Sequence, residues 1–213
     1  MSSKHTRSEE TKKNILKAAG KLFMTHGYES VTIRQIAKEA GCSHTAIYLY
    51  YKDKESLLHQ LAMPLLQQLS EKMNSITHSN EVDDWAKLKG MCSSFITFCL
   101  QHKSMYSTFM TANATRVDEK DPKLQIHNVR IELFQLLRQM LQNALRLSDE
   151  KKSLSFARAL FYNLHGIIST YIENKEPLED LTARLSSTFD LSVEAMLLGF
   201  REIMKQGVEN DEG

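Results

Sequence analysis

The stretch SVTIRQIAKEAGCSHTAIYLYYKDKESLL, from Ser30 to Leu58, restricts the fold more than any other part of the chain. Thr32 followed three residues later by Gln35 is a capping box, in which each side chain satisfies a backbone N–H at a helix start. Ile33, Ile36, Ala37 and Ala40 then recur on one face at helical spacing. Gly41 supplies the positive φ that a tight helix-to-helix turn needs. Ser43 caps a second short helix whose inner face is Ala46 and Ile47. His44, Thr45, Tyr48 and Tyr50 are left with no core to join. A helix-turn-helix presents such a second helix to the major groove of DNA.

The pattern Thr-Ile-x-x-Ile-Ala-x-x-Ala-Gly-Cys-Ser-x-x-x-Ile-Tyr-x-Tyr-Tyr-x-x-Lys-Glu-x-Leu, Thr32 to Leu57, resembles the signature of the TetR family. The chain departs from it at Cys42, where Val is usual, at Thr45, often Gly, and at Tyr51, usually Phe. The resemblance implies an all-α protein: an N-terminal three-helix DNA-binding domain over residues 1–53, then a helical effector-binding and dimerisation domain over 54–213. It implies a regulator of transcription, most simply a repressor, that reads a palindromic operator in double-stranded DNA as a homodimer. Ser43, His44 and Thr45, at the start of the recognition helix, are expected at base edges, and Arg34 at a base or a phosphate. Thr32, Tyr48, Tyr50, Lys52 and Lys54 are better placed for phosphates, which fix register without reading sequence. Lys52 and Lys54 flank Asp53, the cap of the next helix, where free backbone N–H groups also attract anions. The lysine matching Lys54 is a recurrent backbone contact in the family.

Composition agrees with helices. The 213 residues include only 8 Gly and 3 Pro. No apolar run is long enough to cross a bilayer and the N-terminus lacks an apolar leader, so a cytosolic protein without a membrane partner is expected. Residues 1–55 hold ten Lys/Arg against six Asp/Glu, net +4, and residues 56–213 carry −3. A basic N-terminal piece on an acidic body suits a protein that offers one face to phosphates. Cys42, Cys92 and Cys99 form no disulfide framework. Cys92 and Cys99 share a helix face with His102 just beyond, but buried, inert thiols are the simpler reading, and neither a metal nor a cofactor is expected.

Taken in order, residues 1–6 read as an arm, and Thr6 with Glu9 as a capping box opening a helix that stops near Gly27. A fourth helix runs from Asp53 to about Ile76, with Pro64 expected to bend it near Leu61 or Ala62. A polar loop covers 77–83, and helices are predicted over about 84–101 and 104–112. A polar loop over 113–121 ends at Asp121 as N-cap with Pro122 in the first helical position, opening a helix to about 147. Two more helices follow over about 149–173 and 181–205, and residues 207–213 are expected to fray. The segment around Phe161, His165 and Gly166 is similar to a Trp-x-x-x-His-Gly pattern of one group of TetR C-terminal domains, with Phe161 at the Trp position.

The last two long helices are apolar over more than one narrow face and must be covered on two sides. In TetR-like proteins they pair with the same two helices of a second subunit, and Leu197 is expected on that face, with Gly166 allowing close approach. Soft and aromatic residues also accumulate in the C-terminal part: Met91, Phe95, Phe98, Met105, Phe109, Phe134, Phe161 and Tyr162. They suit either a core or a pocket for an apolar or amphipathic small molecule, oriented by His102, His165 or Asn163. The competing functional class is a helical carrier or enzyme with a silent helix-turn-helix. No acid/base pair or activated nucleophile stands out to favour it, so no enzymatic activity is expected.

Overall fold

A computed structural model describes residues 2–79, 83–103, 106 and 125–211. Among the described residues eight helices are delimited and no strand occurs: α1 (Ser2–His26), α2 (Ile33–Ala40), α3 (His44–Tyr48), α4 (Lys54–Thr77), α5 (Asp84–Gln101), α6 (Gln125–Leu145), α7 (Glu150–Tyr171) and α8 (Leu178–Asp211). The chain divides into two compact units, Met1–Gln68 with His102–Arg130, and Leu69–Gln101 with Ile131–Gly213.

In the first unit α1 packs on α2, and α2 on α3. Ile15, Ala18, Ala19 and Phe23 are buried along one stripe of α1, as their spacing requires. The helix begins at Ser2, so residues 2–6 are helical rather than an arm, and Thr6 lies inside the helix rather than capping it. No Gly or Pro interrupts residues 2–7, and nothing there stops the helix from extending. Gly27 ends α1 with φ +76°, its N–H donating to the Phe23 carbonyl at 3.0 Å. The rings of Phe23 and Tyr28 meet edge to face at 5.2 Å, bending the chain back toward α2.

Asp53 starts α4 through reciprocal bonds with Ser56. The Ser56 N–H donates to the Asp53 carboxylate at 2.8 Å, and the Asp53 N–H donates to the Ser56 hydroxyl at 3.3 Å. Pro64 sits inside α4 on its exposed side without ending the helix. Tyr51, just before, is 5% exposed, and its hydroxyl has no hydrogen-bond partner among the described residues.

In the second unit α5 packs on α7 and α8, and α7 packs on α8. Met91, Cys92, Ile96 and Cys99 bury the inner side of α5. Burial pushes both thiols up, Cys92 to about 12, so neither is a nucleophile or a ready metal ligand at neutral pH. No cluster of metal-ligating side chains occurs among the described residues. Likewise, no helix among them is long and apolar enough to cross a membrane.

The inner stripe of α8 is Phe189, Val193, Leu197 and Phe200. Leu197 is fully buried in the chain's own core, which corrects its expected place on an outer face. Among the described residues of this unit, the exposed large apolar side chains are Leu191, Leu198 and Ile203 on α8 and Tyr162 on α7. The Phe156 and Phe200 rings stack at 4.4 Å, and Asn163 donates to the Ser192 hydroxyl at 2.9 Å across the α7–α8 seam. Along the α5–α8 seam, Trp85 donates its indole N–H to Glu194 at 3.3 Å, and the Arg201 guanidinium lies 4.1 Å from the indole ring centroid. Lys89 pairs with the same Glu194 at 2.7 Å.

Helix α6 ends with Arg146 at φ 53° and the Leu147 N–H returning to the Gln142 carbonyl at 2.9 Å. Asp149 then caps α7 by accepting from the N–H groups of Lys151 and Lys152. Arg138 spans this connection, donating to the Ser153 hydroxyl at 2.9 Å and pairing with the Glu150 carboxylate. Helix α8 starts directly after Pro177 and runs to Asp211, longer at both ends than its apolar pattern predicts. The expected fraying from 207 is therefore corrected through Asp211. The expected helix over 104–112, the loop over 113–121 and the Asp121–Pro122 start lie outside the described residues, save Tyr106, which is helical.

Candidate nucleic-acid interface

The site is built on α2, the turn at Gly41, and α3. Thr32 caps α2 as its sequence requires: its hydroxyl accepts from the Gln35 N–H at 3.3 Å, while the Gln35 side chain accepts from the Thr32 N–H at 2.7 Å. Gly41 takes φ +67°, and the Cys42 N–H donates to the Ala37 carbonyl at 3.0 Å. Any side chain at Gly41 would be strained by that φ. Ser43 then caps α3, accepting from the Ala46 N–H at 3.1 Å.

Ile47 is fully buried beneath α3, which anchors the helix by one side only. On the other side His44, Thr45, Tyr48 and Leu49 are exposed together. The Ser43 and Thr45 hydroxyls lie 3.1 Å apart, and the His44 and Tyr48 rings meet edge to face at 5.2 Å. The presented surface is therefore partly ordered by its own contacts. Arg34 on α2 is exposed.

The remaining expected phosphate contacts divide. Lys52 is exposed. Tyr50 is half-buried and accepts a hydrogen bond from the Ser8 hydroxyl at 3.2 Å. Lys54 is turned inward. Its Nζ donates to the Tyr28 carbonyl at 2.7 Å and the Glu29 carbonyl at 3.3 Å, and lies 4.2 Å from the Tyr28 ring centroid. Two of its three ammonium hydrogens are thus used inside the unit.

Sequence reasoning missed Leu49, which is 80% exposed. It falls between two tyrosines, and a large apolar side chain left in solvent beside the presented helix is the signal that a reading of polar residues alone passes over.

The residues proposed to receive a small molecule are less well gathered. Phe134 meets Phe161 edge to face at 6.1 Å, and Phe161 lies parallel to the His165 ring at 6.3 Å. Met91 and Phe98 are buried on α5, and Phe95 is half-buried there. Tyr162 is 62% exposed, so it belongs to the outer face of α7 and not to an interior lining. The one-residue step from Phe161 turns it about 100° around the helix. His102 falls in the first unit, and Met105 and Phe109 lie outside the described residues. Asn163 is engaged with Ser192.

Residues 15–61 match the family model for bacterial regulatory proteins of the tetR family. The HTH-type transcriptional regulator HbdR of Aromatoleum sp. (strain CIB) is 38% identical over 77 residues, 34% of this chain. That stretch spans 34% of HbdR's own length. The fatty acid metabolism regulator protein of Bacillus subtilis (strain 168) is 24% identical over 184 residues, covering 84% of this chain and 92% of that protein. Among solved structures, the TetR family transcriptional regulator PfmR from Thermus thermophilus superposes with a TM-score of 0.61 at 20% identity, covering 84% of this chain and 97% of that one. At that identity the likeness speaks for the fold.

Proposed function

We propose that this chain, which belongs to the TetR family of transcriptional regulators, is a homodimeric repressor that leaves a palindromic operator when an apolar or amphipathic small molecule binds its C-terminal helices. The observation that carries the reading is α3: buried at Ile47 and capped at Ser43, it leaves His44, Thr45, Tyr48 and Leu49 exposed on one side. Ser43, His44 and Thr45 are assigned to base edges and Arg34 to a base or phosphate. Thr32, Tyr48, Tyr50 and Lys52 are assigned to phosphates.

The dimer reading is supported by the outer face of α7 and α8, where Tyr162, Leu191, Leu198 and Ile203 are exposed together with Gly166 and Gly199. A Cβ on either glycine would meet nothing within 4 Å in the single chain, leaving room for a second copy. A C2 dimer that reads a palindromic operator needs its two recognition helices about one DNA turn apart, roughly 34–36 Å.

The effector class is supported by the aromatic group Phe134, Phe161 and His165, and by a relative matched over most of the chain that is named a regulator of fatty acid metabolism. A compound with an acyl chain fits both. It must bind the DNA-incompetent state more tightly to cause release, because equal affinity for both states shifts nothing. Helix α4 contributes residues to both units and is the continuous element through which such a shift would pass.

The test is salt-dependent binding to duplex fragments drawn from the neighbourhood of the protein's own gene. Specific retention that acyl compounds relieve is the expected result. Absence of any salt-dependent DNA binding would return the chain to the class of helical carriers or enzymes.

A further inference from the structure

Lys54 opens α4, yet its ammonium is bound within the first unit, 26 residues back along the chain at the Tyr28 carbonyl. The contact has three parts: that carbonyl at 2.7 Å, the Glu29 carbonyl at 3.3 Å, and the face of the Tyr28 ring at 4.2 Å. Both acceptors lie in the connection between α1 and α2. Within that connection the Val31 N–H also donates to the Tyr28 carbonyl, at 3.4 Å, a long bond by usual geometry. A charged donor at 2.7 Å is the stronger constraint on where that carbonyl points. The side chain of Tyr28 is itself fixed, buried and edge-on to Phe23 at 5.2 Å.

We propose that Lys54 is a positioning residue for DNA binding: it ties the first turn of α4 to the α1–α2 connection and acts through Tyr28 and Glu29, not through a phosphate. The proposal rests on the DNA-binding reading above. Two residues after Glu29 the chain reaches Val31, which is buried, and then Thr32, whose capping box starts α2. Releasing the connection loosens the start of α2 and with it the seat of α3. The fraction of molecules holding the binding-competent arrangement then falls, and apparent affinity falls by the same factor for every DNA sequence. A phosphate contact behaves differently. Its loss keeps the unit ordered and lowers the slope of log affinity against log salt by about 0.9.

The experiment compares Lys54→Met with Lys52→Met on the full chain, using a short mixed-sequence duplex over a range of salt. Lys54→Met is expected to weaken binding about tenfold, the loss of one charge-assisted bond, at an unchanged salt slope. Lys52→Met is expected to lower the slope. A slope reduced by a full phosphate in Lys54→Met would overturn the proposal.

A second arm needs no DNA. Amide exchange at Val31 to Gln35 is expected to quicken in Lys54→Met, and its effect on the thermal midpoint is expected to be non-additive with that of Tyr28→Leu. Unchanged exchange with additive midpoints would overturn the clamp even if affinity fell. Lys54→Gln is read the same way should Lys54→Met not fold, and loss of fold by both is incompatible with a solvent-facing phosphate contact. If the wild-type chain binds no duplex, the DNA-binding reading fails, while the exchange and thermal arms still decide the clamp.

Discussion

The Ser8 hydroxyl on α1 donates to the phenol oxygen of Tyr50 at 3.2 Å, joining residues 42 apart in sequence. Because the phenol accepts from Ser8, its own hydrogen remains to be donated outward. Tyr50→Phe is therefore expected to weaken duplex binding by about 1 kcal/mol, the worth of one hydrogen bond. Ser8→Ala, which keeps the phenol, is expected to cost less. Equal losses in a titration of both variants would mean that Tyr50 serves only the packing of α1.

Tyr51 stands where the TetR signature usually has Phe, and the structure shows what the extra oxygen meets. The residue is 5% exposed and its hydroxyl is without a partner among the described residues. Burial, followed by the nearby Glu9 carboxylate, holds its ionisation above the ordinary tyrosine value. Tyr51→Phe removes a desolvated polar group and is expected to raise stability by about 1 kcal/mol. Urea unfolding measures it, and a lower midpoint would show that the hydroxyl has a use.

Assembly separates two neighbouring leucines on α8. Leu198 is 49% exposed and Leu197 fully buried. Leu198→Glu is expected to leave the fold intact, give monomers by light scattering, and weaken operator binding because a monomer holds one half-site. Leu197→Glu is expected to unfold the second unit, since an unpaired carboxylate would be buried. A Leu198→Glu protein that stays dimeric would remove the outer face of α8 from the interface.

Alkaline pH is expected to destabilise the protein in a defined window. Burial is the first cause raising Tyr28 from 10.0 to about 12 and Cys92 from 9.0 to about 12, and it also raises Cys99. Each group keeps its proton in the folded state at a pH where the unfolded chain has lost it. The unfolded state therefore binds fewer protons, and stability falls as pH rises. The loss begins near pH 9 with the thiols and is joined near 10 by Tyr28, and the parts due to Cys92 and Tyr28 level near 12. Tyr28→Phe should flatten the upper part of this fall in urea midpoints measured against pH, and an unaltered profile would remove Tyr28 as a cause.

Arg146 holds φ 53° at the end of α6, a conformation that suits glycine better. Arg146→Gly is expected to raise the stability of the second unit by about 0.5–1 kcal/mol in denaturant titration. Destabilisation instead would show that the arginine side chain contributes more than the backbone strain costs.

How much of this was legible in the chain depended on whether a residue's role was set locally. Thr32, Gly41 and Ser43 act within four residues of themselves, so spacing alone placed them. Residues whose neighbours lie far along the chain were not readable that way. Lys54 has the composition and position of a phosphate contact, and only the return of Tyr28 and Glu29 to its side shows where its ammonium is bonded within the unit. Leu197 and Leu198 share an apolar run, and which of them faces inward depends on the phase of a helix set by Val193 and Phe200. Tyr162 failed for the same reason next to Phe161. The surface presented by α3 was the more legible because it is a gap in the core pattern: polar and aromatic residues opposite Ile47 with nothing to bury them.

The chain contains 1 Trp, and that indole is held between the Glu194 carboxylate and the Arg201 guanidinium. Light absorbed at the red edge of the protein spectrum is therefore emitted from one place, the seam between α5 and α8. Its colour and intensity depend on how close those two charges stay to the ring. The molecule thus carries its own optical gauge of the second unit. A compound that parts α5 from α8 would register as a spectral change before any label is attached, whereas one that leaves the seam alone would be silent however tightly it bound.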